Sequence, residues 1–263
     1  VASLIEWTHE TFNPTSGCTK TESRCCTNCY AETTSETYKN RNWDDWKYGF
    51  QFTERPERLD NPRDIPGAKY IFTGSMSDLF HEACDREYIF DVFDVLDEVD
   101  QHCYQLLTKR SERLKDLGQY LPWGDHIWAG VSVGTPSDKD KIEDLRECGA
   151  DVKWISAEPL VDSLGDVDLT GIDWMVIGGE SGALNRIEEI ELEWVEDLIQ
   201  QCRDQGTTPF VKQLGEIWAE KNDSEHQHGA NIFEWPPNLQ VREMPMIYPD
   251  QPELDTLPGI EHV

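Results

Sequence analysis

Short β-rich runs alternate with amphipathic stretches through the middle of this 263-residue chain, and that order limits the fold more than any other feature. Six runs read as strands, at 68–73, 103–108, 126–131, 151–155, 173–177 and 208–212. Between them, Ile89, Val92, Phe93, Leu96 and Val99 fall on one helical face, as do Trp194, Val195, Leu198, Ile199 and Cys202. Further helices are expected after Tyr30, over about 111–120 and over about 137–148. Strands joined in turn by helices run parallel with right-handed crossovers, which gives an open α/β sheet or a barrel. The expectation is an α/β fold, a partial (β/α) barrel of about six parallel strands, over residues 1–215. Beyond it the chain turns acidic, Pro-rich and weakly periodic, so residues 216–263 are expected to form a C-terminal extension, either a cover or a partly mobile tail.

Polar residues collect where these runs end. Ser75, Ser77 and Asp78 follow the first, Thr108 and Lys109 the second, and Ser132 the third. Glu158 follows the fourth, Gly178, Gly179 and Glu180 the fifth, and Lys212 and Gln213 the sixth. Turn chemistry accounts for the glycines and serines. It does not account for Asp78, Lys109, Glu158, Glu180 and Lys212 lying at the same end, which is the end where β/α barrels build sites.

Four cysteines fall within twelve residues: Cys18, Cys25, Cys26 and Cys29. Thiolates cluster when they share a soft metal or an iron–sulfur cluster. A structural zinc takes four protein ligands, whereas a cluster with chemistry to do leaves one metal position open. The spacing to Cys29 favours Cys26 and the gap from Cys18 favours Cys25. The set expected to bind metal is therefore Cys18, Cys26 and Cys29, with Cys25 as the alternative to Cys26. Cys84, Cys103, Cys148 and Cys202 are scattered singly and read as small buried residues, not as a disulfide framework.

The chain carries 52 acidic against 23 basic residues, net −29, with the acids spread along its length. Dispersed acidity of this kind resembles proteins of a salt-saturated cytoplasm, where a Debye length of about 3 Å screens self-repulsion and no longer forbids an approach to DNA. No apolar run is long enough to cross a bilayer, and no charged-then-apolar leader opens the chain. The expected location is cytoplasmic, in a halophilic host or its virus.

Taken in order, the motifs resemble a family. Ile5-Glu-Trp-Thr8, Asn13-Pro-x-x-Gly17-Cys18, Cys26-x-x-Cys29-Tyr30, Ser75-Met-Ser-Asp-Leu-Phe80, Leu107-Thr-Lys-Arg110, Gly130-Val-Ser-Val133, Glu158-Pro159 and Gly178-Gly-Glu-Ser-Gly182 are similar to motifs of the radical S-adenosylmethionine (SAM) superfamily. They resemble most its phage-associated branch marked by a three-cysteine motif, and more distantly spore photoproduct lyase. The likeness runs over roughly residues 4–218. Two departures stand out: the first cysteine gap is six or seven residues instead of three, and Asn28 replaces the usual aromatic before the last cysteine.

That resemblance implies a 4Fe-4S cluster on three cysteines, with SAM on the fourth iron. It further implies reductive cleavage of SAM and hydrogen abstraction from a substrate. It implies an electron donor such as a ferredoxin or flavodoxin, and a substrate in the class of nucleic-acid bases or nucleotides. Ser75, Ser77 and Asp78 are then expected near the SAM amino group, with Thr108 beside them and Lys109 at its carboxylate. Ser132 is expected at the ribose, Glu158 and Glu180 at ribose or substrate, and Gly178 and Gly179 near adenine. His81, Lys212 and Gln213 are the candidates for substrate contact. Two other readings stay open. One is a zinc module with all four cysteines and a nucleic-acid or protein-binding role; the other is an α/β enzyme holding a hard metal on Asp78, Glu158 and Glu180. Trp43, Trp46 and Tyr48 read as packing of a covering loop, with stacking on a base as the alternative. His226 and His228 read as solvated.

Overall fold

The computed structural model describes residues 5–248 and 251–252, so the end of the expected extension, 249–250 and 253–263, lies outside the described residues. The central sheet contains Glu10–Phe12 (β1), Tyr70–Thr73 (β2), Cys103–Thr108 (β3), Ile127–Ser132 (β4), Val152–Ala157 (β5), Trp174–Gly178 (β6) and Thr208–Gln213 (β7). They lie side by side in that order, every neighbour pair parallel, and the sheet curls into a half-barrel. Six of these strands match the runs read from sequence. The seventh, β1, is only three residues long and pairs Glu10 with Ile71 at one edge. A run that short carries no periodic signal.

The crossovers are helical where the apolar spacing requires it. Arg86–Glu98 (α2) buries Ile89, Val92, Phe93 and Leu96 and presents Asp91, Asp94 and Asp97 to solvent. Tyr30–Asn40 (α1), Ser111–Gly118 (α3), Asp140–Arg146 (α4) and Leu192–Gln205 (α5) complete the set. The stretch expected as a helix over 137–148 divides into a 3-10 turn, Pro136–Asp138, and the shorter α4. Pro136 is tolerated at the start of the turn, where its missing N–H is not needed.

Side chains alternate across the sheet with a period of two, which separates two apolar clusters. Ile71, Tyr104, Leu106, Ala129, Val131, Ile155, Met175 and Val211 face the helices. The other face gathers Trp7, Phe72, Trp128, Trp154, Trp174 and Phe210. Trp7 packs edge-on against Phe72, Trp154 and Trp174 at ring-centroid distances of 4.7, 5.3 and 5.7 Å. This aromatic plug fills the concave face below the strand ends. Gly130 makes room for it, because a Cβ there would stand 2.3 Å from the Trp154 indole.

The described part of the extension is a cover and not a tail. A short helix, Glu216–Lys221 (α6), leads to buried Trp235 and Leu239. The chain then runs antiparallel along β7: Val211 N donates to Val241 O at 2.7 Å, and Arg242 pairs with Phe210. Arg242 lies over the rings of Phe210 and Trp235 and donates to the carbonyls of Val211, Lys212 and Ala230. Covering an exposed strand edge in this way prevents edge-to-edge pairing with another chain.

Candidate functional site

The cysteine loop lies over the carboxyl ends of the strands. Gly17 launches it, with φ +73° and its N–H on Met76 O. Only glycine fits, since a Cβ would come within 2.3 Å of the Gln51 carbonyl oxygen. Cys18 N donates to Phe50 O at 2.9 Å, and the loop ends at Cys29, which caps α1.

The four thiols have different surroundings. Cys25 is buried and turned to the barrel wall, donating to Asp138 Oδ2 at 3.7 Å and Pro159 O at 3.8 Å. Gly134 leaves the space it occupies, since a Cβ there would lie 2.5 Å from Cys25 Sγ. Cys26 contacts Thr21 Oγ1 at 3.2 Å. Cys26 lies within electrostatic reach of Cys18 and of Lys20, and Lys20 also lies within reach of Cys29. Cys18 accepts a hydrogen bond from Arg110 Nη1 at 3.3 Å. Burial pushes the Cys18 thiol up to about 11, with Asp78 adding to the shift and Arg110 opposing it. Among the described residues no three His, Cys, Asp or Glu side chains are already arranged as a metal cage. The four thiols share a loop without being closed on a centre.

Asp78 is buried and fully used. Its Oδ1 accepts from Thr108 Oγ1 at 2.7 Å and from Phe80 N at 3.0 Å; its Oδ2 accepts from Lys109 N and Arg110 Nη1, each at 3.1 Å. The role expected for it, a free acceptor for an ammonium group, is occupied by the protein's own donors. Arg110 in turn reaches Glu82 at 2.9 Å and Thr19, on both O and Oγ1. Asp78, Thr108 and Arg110 therefore fasten the start of the cysteine loop to β3. His81 belongs to the same support. It is buried, stacked on Phe52 at 4.3 Å, with Nε2 on Thr19 Oγ1 and Nδ1 accepting from Ala83 N. Neither ring nitrogen is left for a substrate.

The loop's other end is tied to the segment after β6. Asn28 Nδ2 donates to Glu180 Oε1 and to Arg186 O, both at 2.8 Å, and Glu180 Oε2 accepts from Glu188 N. Arg24 pairs with Glu188. Glu180 is thus an anchor. Ser75 and Ser77 bind Asn13 and Thr15 of the N-terminal segment, at 3.0 and 2.7 Å. Gln213 is buried in the irregular pairing of β6 and β7, bonded to Gly179 O and Gly215 N. Gly179 packs against Leu214.

The residues that do face the mouth are fewer. Lys212 Nζ pairs with Glu158 Oε1 at 3.0 Å above the aromatic plug, and Ser156 Oγ donates to Glu158 Oε2 at 3.3 Å. Burial works against the Lys212 charge, but Glu158, with Glu6 adding to it, holds the ammonium above the ordinary lysine range. Gly178 leaves room for Glu158, as a Cβ would sit 2.6 Å from Oε1. Tyr30, next to Cys29, donates its hydroxyl to Ser75 O and borders the same space. Lys109 is half-buried with its charge in reach of Cys25. Ser132 Oγ is buried and has no hydrogen-bond partner among the described residues. Sequence reasoning assigned no role to Arg110, Asn28, Asp138 or Tyr30. The signal for Arg110 was its place in the strand-end run Thr108-Lys109-Arg110.

Fold and site together define a parallel α/β half-barrel with a thiol-rich loop strapped across its carboxyl mouth. The chain belongs to the family described as "Protein of unknown function (DUF5131)", whose model matches residues 2–238. Comparisons with curated proteins and with solved structures give no match.

Proposed function

We propose that this protein is a radical SAM enzyme holding a 4Fe-4S cluster on Cys18, Cys26 and Cys29. The observation that carries the reading is the separation of the thiols. Cys25 and Cys26 are both buried, but Cys25 is packed against Asp138 and Pro159, while Cys26 contacts Thr21 of the loop itself and Cys18 and Cys29 are partly exposed. Three soft donors on one short loop fit a cluster that keeps an iron free for a ligand. The mouth fits a nucleoside-bearing cofactor in one further respect: buried Ser132 Oγ lacks a partner among the described residues, and a ribose hydroxyl would supply one. When bound, the cluster and SAM supply a one-electron cleavage that yields an agent able to remove a hydrogen atom.

The protein's own residues would do the rest. Lys109, half-buried with its charge in reach of Cys25, would meet a carboxylate at the mouth. Glu158 and Lys212 form the polar wall nearest the aromatic plug and would orient the substrate. The plug itself keeps water from below, and Arg110 and Asn28 hold the loop at its two ends. The substrate class is a nucleic-acid base or nucleotide, the electron donor a ferredoxin or flavodoxin, and the setting the salt-rich cytoplasm of a halophilic host or its virus. The exposed acids of α2 support that setting.

Anaerobic reconstitution with iron and sulfide tests the ligand set. The parent chain and Cys25→Ser should take up about four iron and four sulfide, and Cys18→Ser, Cys26→Ser and Cys29→Ser far less. A chain that instead holds one zinc through all four cysteines, and loses it in Cys25→Ser, would overturn the reading in favour of a structural zinc site with four thiolate ligands.

A further inference from the structure

Beyond the mouth, α1 leads to a second site. The helix ends at Asn40, and the chain reverses through Asn42, whose φ of +56° is left-handed. In the turn that follows, three aromatic residues divide. Trp46 is buried at 8% exposure, whereas Trp43 and Tyr48 stand out at 49% and 53%. Trp43 stacks on Tyr38 with centroids 4.3 Å apart and planes at 15°. One indole face is thereby covered and held, and the other is offered to solvent. Beside it is a cavity of about 490 Å³ lined by Lys39, Asn40, Asn42, Trp43, Asp44 and Lys47.

Apart from the Asp44 carboxylate, the lining groups suit parts of a nucleotide. A rigid exposed indole face is a stacking platform for a base of any sequence. The amides of Asn40 and Asn42 offer donors and acceptors to a base edge. Among the described residues Lys39 has only an exposed partner, Glu36 at 3.6 Å, and Lys47 rests over the Tyr48 ring at 4.8 Å. Neither Lys47 nor the exposed Arg41 pairs with a carboxylate among the described residues. Residues 39–47 carry Lys39, Arg41 and Lys47 against Asp44 and Asp45, a local net charge of +1 in a chain whose net charge is −29. A duplex hides its base faces, so the platform selects unpaired strands.

We propose that the Trp43 cavity binds a single-stranded nucleic acid, with one base stacked on Trp43 and flanking phosphates on Lys39 and Lys47. This names a docking site for the substrate class in the reading above and rests on that reading for its purpose, but the binding itself requires no cluster. Helix α1 has 11 residues and so spans about 16 Å from Cys29 to this turn, a distance a few nucleotides cover.

The test uses the full chain without cluster and a fluorescein-labelled oligothymidylate of about ten nucleotides, read by anisotropy at several salt concentrations. Saturable binding is expected. Trp43→Ala should weaken it by about 10-fold or more, and Trp43→Phe by much less. Lys39→Gln with Lys47→Gln should flatten the salt dependence of log K by about 1.4. Circular dichroism checks folding, and if Trp43→Ala does not fold, Trp43→Phe and the lysine pair decide. No saturable binding, or equal binding by all variants, overturns the proposal. Absent oligonucleotide binding in a chain that assembles a cluster on reconstitution overturns this inference alone; binding by a chain that assembles none overturns the enzyme reading alone.

Discussion

The Arg110 guanidinium joins Cys18 to Asp78: one nitrogen, Nη1, stands 3.3 Å from the thiol sulfur and 3.1 Å from the carboxylate. Both ends of the Arg110–Asp78 pair are buried, with side chains 6% and 7% exposed. Removing one partner of such a pair leaves the other charge uncompensated. Arg110→Gln should therefore lose about 3 kcal/mol of stability in denaturant melts. Since the guanidinium opposes the upward shift of the Cys18 thiol, the variant should also alkylate more slowly at Cys18. Mass-spectrometric rates at that residue check this, and a purely structural role would expose Cys18 and speed the reaction instead.

Gly17 sets where the loop begins. Gly17→Ala places a methyl group 2.3 Å from a carbonyl oxygen at a positive φ, a strain of about 1–3 kcal/mol. A lower melting temperature and poorer iron uptake are expected. Gly165→Ala, at a positive φ with open space around it, controls for backbone strain alone and should keep full uptake.

His9 gives a pH dependence. Burial, with Lys69 adding to it, lowers its pKa from 6.5 to about 4, while Tyr70 N donates to its Nδ1. Between those two values the unfolded chain binds the proton and the folded chain does not. The contribution of His9 is thus fully present above pH 6.5 and lost as the pH falls through 4, about 3 kcal/mol in all. His81 and His102 are lowered in the same direction, so the comparison must be between parent and variant. His9→Gln should show a shallower fall in unfolding free energy from pH 7 to pH 4.5, and an identical slope would refute the assignment.

The net charge of −29 makes stability depend on salt. Screening relieves repulsion between exposed carboxylates such as Asp91, Asp94 and Asp97. The melting temperature should rise steadily from 0.1 M to 3 M KCl. Replacing those three aspartates by asparagine should reduce the rise, and a melting temperature indifferent to KCl would contradict the halophilic setting.

The barrel was legible because its strands and helices repeat long enough to show their periods. β1 was not, since three residues at an edge have no period to show. At the site, the strand-end rule points to the end of the sheet over which the cysteine loop lies, but not to the direction of each side chain. Alternation puts Glu158 and Lys212 on the concave side, while Asp78 and Thr108 bond to each other and to Arg110, and Gln213 is spent on the β6–β7 irregularity. Sequence also left Trp43, Trp46 and Tyr48 as one group. Only the turn after α1 separates the one that is buried from the two that are half-exposed.

Electron paramagnetic resonance of the anaerobically reconstituted, reduced protein in high salt, recorded with and without SAM, addresses the enzyme reading at its root. A 4Fe-4S signal that shifts when SAM is added is the expected result, because the three-thiol set leaves one iron open to it. A protein that assembles no cluster, or whose cluster signal is unchanged by saturating SAM, would contradict it.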